Sequence, residues 1–265
     1  MNLSLPAGHL LRPATVTSPL CDLRNEPRPD CSIDTQLLLG DVVNIVEENE
    51  GWARVQSRHD HYVGWTASSA LEQGIAIATH RVISPRTMVY LGPDLRLPMV
   101  RALSMGSRLD VVGEALTRGT RYALLESGEA LAAGHLAPVN QHENDFVEAA
   151  RRLLGTPYLW GGNSAFGLDC SALVQLAMRM CGREVLRDTD MQATTVGTVI
   201  DPGPGFSQLI RGDLVFWQRH VGIFEGDGNI VHASGHTMLV TSEPLVGAIS
   251  RIAGLYGQPT VFRRP

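Results

Sequence analysis

The C-terminal half of the chain holds one cysteine and two histidines whose order suits nucleophilic chemistry. Cys170 stands in "GLDCSALVQLAMRMCG" (167–182), between Asp169 and Ser171, where an apolar stripe of helical spacing begins. A helix start offers unpaired N–H groups and the positive end of the peptide dipole, which favour a thiolate. A thiol nucleophile also needs a base, usually an imidazole, held by a third group. His220 in "HVGIFE" (220–225) and His232 in "NIVHAS" (229–234) supply two imidazoles on neighbouring β-rich segments. Cysteine is also a frequent core residue. The glycine-bearing "YLWGGNSAFG" before Cys170 and the two histidines after it point to the nucleophile instead. Asp169 works against ionisation of its neighbour, so it needs another purpose. A helix N-cap is one, and a partner for a cation on the substrate is another.

The two histidines cooperate only if they share a face of their hairpin. A two-residue turn at Asp227-Gly228 sets His232 opposite Ile223 and sends His220 to the other face. A three-residue loop, 226–228, sets His232 opposite Gly222, on the face of His220. The sequence therefore predicts an odd-length connection, or a bulge that restores this parity, against the local Asp-Gly preference for a two-residue turn.

The elements that must position these residues change character along the chain. From 15 to 137 the pattern is short strands between turns: 42–48, 52–57, 62–67, 87–92, 108–115 and 121–127. Two SH3-like barrels of roughly 60 residues each fit that length. After Pro138 a helix is expected over 144–154 with Asn144 as its cap, and a second from about Cys170 to Cys181. Strands follow at 213–217, 220–225 and 229–234, an α+β order. The expected fold class is multidomain, two small all-β barrels and then an α+β domain. The boundaries are 1–76, 77–139 and 140–265. Trp52 and Trp65 are assigned to the first barrel, Trp160 and Trp217 to packing around the catalytic helix, and His236 to a solvated loop.

Composition narrows the partners. The formal net charge is −5 with no basic block, which argues against nucleic acid. No apolar run approaches the ~20 residues of a membrane span. The opening "MNLSLPAGHLLRPATV" lacks a basic n-region and is interrupted by Pro6 and Pro13, so no secretory signal is read. A cytoplasmic location with reduced thiols is expected, with export by another route left open. Cys21, Cys31, Cys170 and Cys181 form no CxxC pair, so no zinc ribbon is expected; spacing alone leaves a Cys21–Cys31 disulfide open. In "RHDH" (58–61) adjacent residues point to opposite faces of a strand, which argues against a metal site. No metal and no cofactor are implied.

Three ordered stretches, "PYLWGGNSAFGLDCSALVQ", "GDLVFWQRHVGIF" and "NIVHASG", resemble the NlpC family of bacterial cell-wall cysteine peptidases, which have a papain-like fold. Upstream, "GDVVNIVEENEGWARVQSRHDHYVGW" resembles the bacterial SH3-like modules that precede such peptidases. The layout is similar to that of γ-D-glutamyl-L-diamino-acid endopeptidases, which process murein peptides. The resemblance implies Cys170 as nucleophile, His220 as general base and His232 as the group that orients it. Tyr158, twelve residues before the cysteine, matches a tyrosine that helps stabilise the oxyanion. Asp169 would then face the free amine of an N-terminal L-Ala, with Ser171 and Thr189 lining the same pocket. Tyr62 matches an aromatic that the first module places over the site, which would favour released peptides over glycan-linked ones. Val185-Leu186 stand where the family often has Leu-Pro, a departure at the pocket edge near Thr189.

Three function classes follow. The first is a cysteine endopeptidase cutting the γ-D-Glu to diamino-acid bond, with diaminopimelate or lysine as the diamino acid, in cell-wall peptide turnover. The second is a cell-wall peptide-binding protein with a weak peptidase domain; filled catalytic positions speak against it. The third is an acyl or amide transferase on the same scaffold, for which a carboxylate beside the thiol has no use.

Overall fold

The computed structural model describes residues 11–265 of the chain. The absence of a signal was read largely from residues 1–10, outside the described residues. The chain divides into two compact units, one reaching His142 and including Ser164–Phe166, the other formed by Glu143–Asn163 and Gly167–Pro265.

Among the described residues, the regular elements of the first unit are strands and two 3-10 turns. Strands between Arg12 and Gln73 form a seven-stranded sheet. Trp52–Ser57 alternates half-buried and buried positions along its length, the period of a strand with one face in a core. Ala14, Leu23, Val43, Val55 and Tyr62 share that core. A five-stranded and a three-stranded sheet, between His80 and Pro138, surround a separate core of Val82, Val89, Leu103 and Leu131. The strand expected over 108–115 is two strands: Arg108–Leu109 pairs with His80–Val82, and Gly113–Thr117 pairs with Thr120–Leu124. Between them the Val111 N–H goes to Thr79 Oγ1 and the Val112 N–H to the Leu124 carbonyl, so the chain changes partner without a break in its apolar pattern. Cys21 and Cys31 are separate thiols, and Cys21 is buried against the Thr66 hydroxyl.

The second unit holds four helices: α1 (Phe146–Arg151), α2 (Cys170–Met180), α3 (Thr189–Thr195) and α4 (Leu245–Tyr256). A six-stranded antiparallel sheet runs Thr198–Ile200, Val261–Arg264, Leu214–Trp217, His220–Gly226, Asn229–Ser234, Leu239–Pro244 in spatial order. Asp145, not Asn144, caps α1, its carboxylate accepting from the N–H groups of Val147 and Glu148. Every residue of α2 except Arg179 is buried, and the helix packs on the two histidine strands. Trp217, Phe224 and Ile230 share a core with Ala248, Ile249 and Ile252 of α4. The sequence did not signal α4: Pro244 precedes it without a side-chain cap, and Gly247 and Gly254 interrupt it. Among the described residues no helix is long and apolar enough to cross a membrane.

Candidate active site

Asp169 organises the start of α2. One carboxylate oxygen accepts from the Ala172 N–H at 2.9 Å and the other from the Gly161 N–H at 3.1 Å. Arg187, 1% exposed, grips both oxygens at 3.0 and 2.6 Å and also donates to Ser171 Oγ at 2.9 Å. Ser171 Oγ in turn donates to Asp169 at 3.2 Å. The preceding loop folds back closely. A Cβ on Gly162 would stand 2.5 Å from the Gly167 carbonyl oxygen, a contact only glycine avoids.

Cys170 is the first residue of the helix proper and is 6% exposed. Its sulfur lies 3.7 Å from Thr189 Oγ1 and 3.9 Å from the Arg219 carbonyl oxygen, and it takes a hydrogen bond from the Val221 N–H. Arg219 and Val221 flank His220, so the sulfur sits against the backbone that carries the imidazole. Burial, and next the charge of Asp169, push the thiol up to about 11, with Thr189 and the Val221 N–H pulling the other way. The helix start does not prevail over desolvation here, contrary to the expectation of a depressed thiol pKa.

The histidine hairpin satisfies both local and long-range demands. Gly226 pairs with Asn229 across Asp227 and Gly228, whose φ angles of 50° and 76° give the type I′ turn that Asp-Gly favours. A bulge then leaves Glu225 unpaired, and beyond it Phe224 pairs with Ile230 and Ile223 with Val231. The bulge restores the parity that the sequence argument required, and His232 falls level with Gly222. The bulged residue is itself held: Arg211 donates to its carbonyl at 2.9 Å, and Arg151 and Ser242 bind its carboxylate.

His220 Nε2 and His232 Nδ1 are 2.7 Å apart, and His232 Nε2 is 2.7 Å from Glu243 Oε1. Arg251 of α4 closes the line with two bonds of 2.5 Å to Glu243. Glu243 accepts, so His232 donates from Nε2 and accepts at Nδ1; His220 then donates from Nε2 and keeps Nδ1 as a lone-pair base. Burial drives His220 down to about 3, with the proximity of His232 and the charge of Arg251 acting the same way and Glu243 opposing. Hydrogen bonding by His232 is the largest influence on Glu243, which is held at about 2 against the opposing effect of burial. Both shifts favour a neutral thiol beside a neutral imidazole. Nothing in the sequence alone singled out Glu243 or Arg251. The signal was parity: Thr241 pairs with His232, so Glu243 lies on the same face of the next strand.

Tyr158 lines a cleft of about 320 Å³ together with His220 and His232. Burial, then the nearby charges of Cys170 and Asp169, raise its hydroxyl pKa, so it is a neutral donor. Trp160 does not pack around the helix as expected: it is 65% exposed and borders the same cleft. The hydroxyl of Ser171 is occupied by Arg187 and Asp169, whereas that of Thr189 faces the sulfur. Asp188, next to Arg187, is a carboxylate that sequence reasoning missed. Its side chain does not cap α3, and burial raises its pKa, with Arg187 opposing. Tyr62 lies in the first unit, in the core of the seven-stranded sheet.

Comparison with known proteins finds matches to two separate parts of the chain. Residues 155–254 match the NlpC/P60 family, and residues 23–71 match the bacterial dipeptidyl-peptidase SH3 domain. A Bacillus cereus protein named gamma-D-glutamyl-L-lysine dipeptidyl-peptidase is 26% identical over 84% of this chain and 74% of its own length. A Bacillus subtilis protein of the same name is 27% identical over 77% of this chain and 73% of its own. The crystal structure of an NlpC/P60 family protein from Bacillus cereus superposes with a TM-score of 0.77 at 21% identity, covering 95% of this chain and 99% of that one.

Proposed function

From a chain that carries an NlpC/P60 peptidase domain behind a bacterial SH3 domain, we propose a cysteine endopeptidase that hydrolyses the γ-D-glutamyl to L-diamino-acid bond of murein peptides with a free N-terminal L-Ala. The observation that carries it is the line from His220 through His232 and Glu243 to Arg251, ending beside a buried helix-start thiol. A papain-like arrangement of the domain and a second SH3-like barrel over 77–139 belong to the same reading.

Cys170 Sγ attacks the γ-carbonyl of the D-Glu residue while His220 Nδ1 takes the thiol proton. Because both groups rest neutral, this transfer accompanies attack, and charge develops only as the tetrahedral oxyanion forms. The Cys170 N–H at the helix start and the Tyr158 hydroxyl are the donors for that oxyanion. His220 then returns its proton to the leaving amine, and water hydrolyses the thioester with His220 again as base. His232 holds the tautomer and orientation of His220, and Glu243 fixes those of His232.

The substrate amine needs a negative partner. Asp169 pairs with the Arg187 guanidinium, whose charge also acts on Asp188, so two carboxylates share it. Asp169 is the carboxylate that Arg187 neutralises. Asp188 is the one left for the amine, with Ser171 holding Arg187 and Thr189 bordering the acyl group. The screening role of Tyr62 rests on sequence resemblance alone, as does a place in cell-wall peptide recycling.

The test is turnover of L-Ala-γ-D-Glu-diaminopimelate against its N-acetylated form, with Cys170→Ala as control. Release of L-Ala-D-Glu from the free-amine peptide only, lost in Cys170→Ala, supports the reading. Equal cleavage of both peptides, or product from the variant, overturns it.

A further inference from the structure

The cleft beside the histidines carries two guanidinium groups. Arg219, Arg251, His220, His232 and His236 line it, and among the described residues none of its lining side chains is a carboxylate. Arg251 is engaged by Glu243, so its charge is answered. Arg219 differs. It is exposed and has no ion-pair partner among the described residues, and its φ of 71° turns the chain just before His220. Its carbonyl lies 3.9 Å from the nucleophilic sulfur, so the free guanidinium is rooted beside the bond to be cut.

Chemistry decides which half of the substrate enters this cleft. The leaving nitrogen must receive its proton from His220, and His220 lines the cleft. Asp169, Asp188 and Thr189 are absent from the lining, and the proposed function assigns them to the acyl half. At about 320 Å³ the cleft matches roughly ten waters of ~30 Å³ each, room for one diamino-acid residue.

Resting on the function proposed above, we propose that Arg219 reads a carboxylate on the leaving diamino acid, so that this enzyme prefers a residue with a carboxylated distal end, such as meso-diaminopimelate, over lysine. A lysine ε-ammonium brings a second cation into a cleft without an acid. A diaminopimelate distal end brings a carboxylate, to which a guanidinium can donate two parallel hydrogen bonds.

The experiment compares kcat/KM for three peptides of the form L-Ala-γ-D-Glu-X. X is meso-diaminopimelate, the same residue amidated at its distal carboxyl, or L-lysine. Wild type is expected to favour the carboxylated peptide over the other two by about tenfold, the scale of one charge-assisted hydrogen bond. Arg219→Gln should lower the value for the carboxylated peptide about tenfold more than for lysine, and Arg219→Lys should recover part of that difference. Lysine used as well as diaminopimelate, or equal losses on all three peptides in Arg219→Gln, would overturn the assignment. Cleavage of all three without discrimination leaves the peptidase reading standing, whereas cleavage of none removes both.

Discussion

Gly222 lies level with His232 on the neighbouring strand, and a Cβ added at Gly222 would stand 3.2 Å from that of His232 and 2.4 Å from Ile230 Cδ1. The His220–His232 contact thus depends on a residue that contributes no side chain. The space over Gly222 is already filled by Ile230.

Gly222→Ala should therefore disturb both stability and catalysis. Overpacking here is expected to cost about 1–3 kcal/mol and to lower kcat through displacement of His232. Ile230→Val in the same chain removes the atom nearest the new Cβ and should recover much of the loss. Thermal melts and kcat of the single and double variants check this; a double variant no better than Gly222→Ala would locate the strain elsewhere.

Glu243→Gln should leave the fold intact and lower kcat by about ten- to a hundredfold, the scale seen when the partner fixing an imidazole is removed. The glutamine amide can offer His232 a donor and so permit the wrong tautomer. The same variant alters the acid limb of stability. The folded-state pKa of Glu243 lies below its ordinary value of 4.5, at about 2, so its contribution is full above about 4.5 and is lost as pH falls toward 2. Wild-type Tm should fall more steeply than that of Glu243→Gln across this window. Parallel curves would show that Glu243 contributes no such term.

Cys170 alkylation should report the neutral resting pair. With the thiol near 11, its rate with iodoacetamide should climb about tenfold per pH unit from 7 to 10, without the plateau of a preformed thiolate–imidazolium pair. Cys31 and Cys181, neither fully buried, should react first and serve as internal references in peptide mapping. A plateau between pH 5 and 8 would mean that the sulfur is already ionised.

Asp169 and Asp188 should separate into a structural and a recognition role. Asp169→Asn strips Arg187, 1% exposed, of its bidentate partner, and a loss of about 3 kcal/mol is expected for such a buried pair. Asp188→Asn should leave Tm nearly unchanged and reduce the preference for free-amine over N-acetylated peptide. Loss of that preference in neither variant would place amine recognition outside this pair of carboxylates.

The parts of the site legible in the sequence are those set by local rules. A cysteine at the start of an apolar helical stripe, two histidines in consecutive strands and the need for matched parity were all readable from 167 to 234. The bulge was anticipated only as one of two ways to reach that parity; its position at Glu225 depends on Arg151, Arg211 and Ser242, which meet it from distant parts of the chain. Glu243 and Arg251 stayed hidden because finding them requires the length of the loop after Ser234 and a helix that starts at proline. Asp169 was seen as cap or amine partner. Arg187, eighteen residues on, was not foreseen as the group that would occupy it.

That occupation has a thermodynamic consequence for catalysis. One carboxylate joins the Gly161 loop, the first turn of α2 and the segment leading into α3. The conformational entropy of ordering the surroundings of Cys170 is thus lost during folding. In the proposed reaction, the free energy of docking a short peptide is then available for the transition state. The groups that hold the sulfur are therefore in place before the peptide of the proposed reaction arrives.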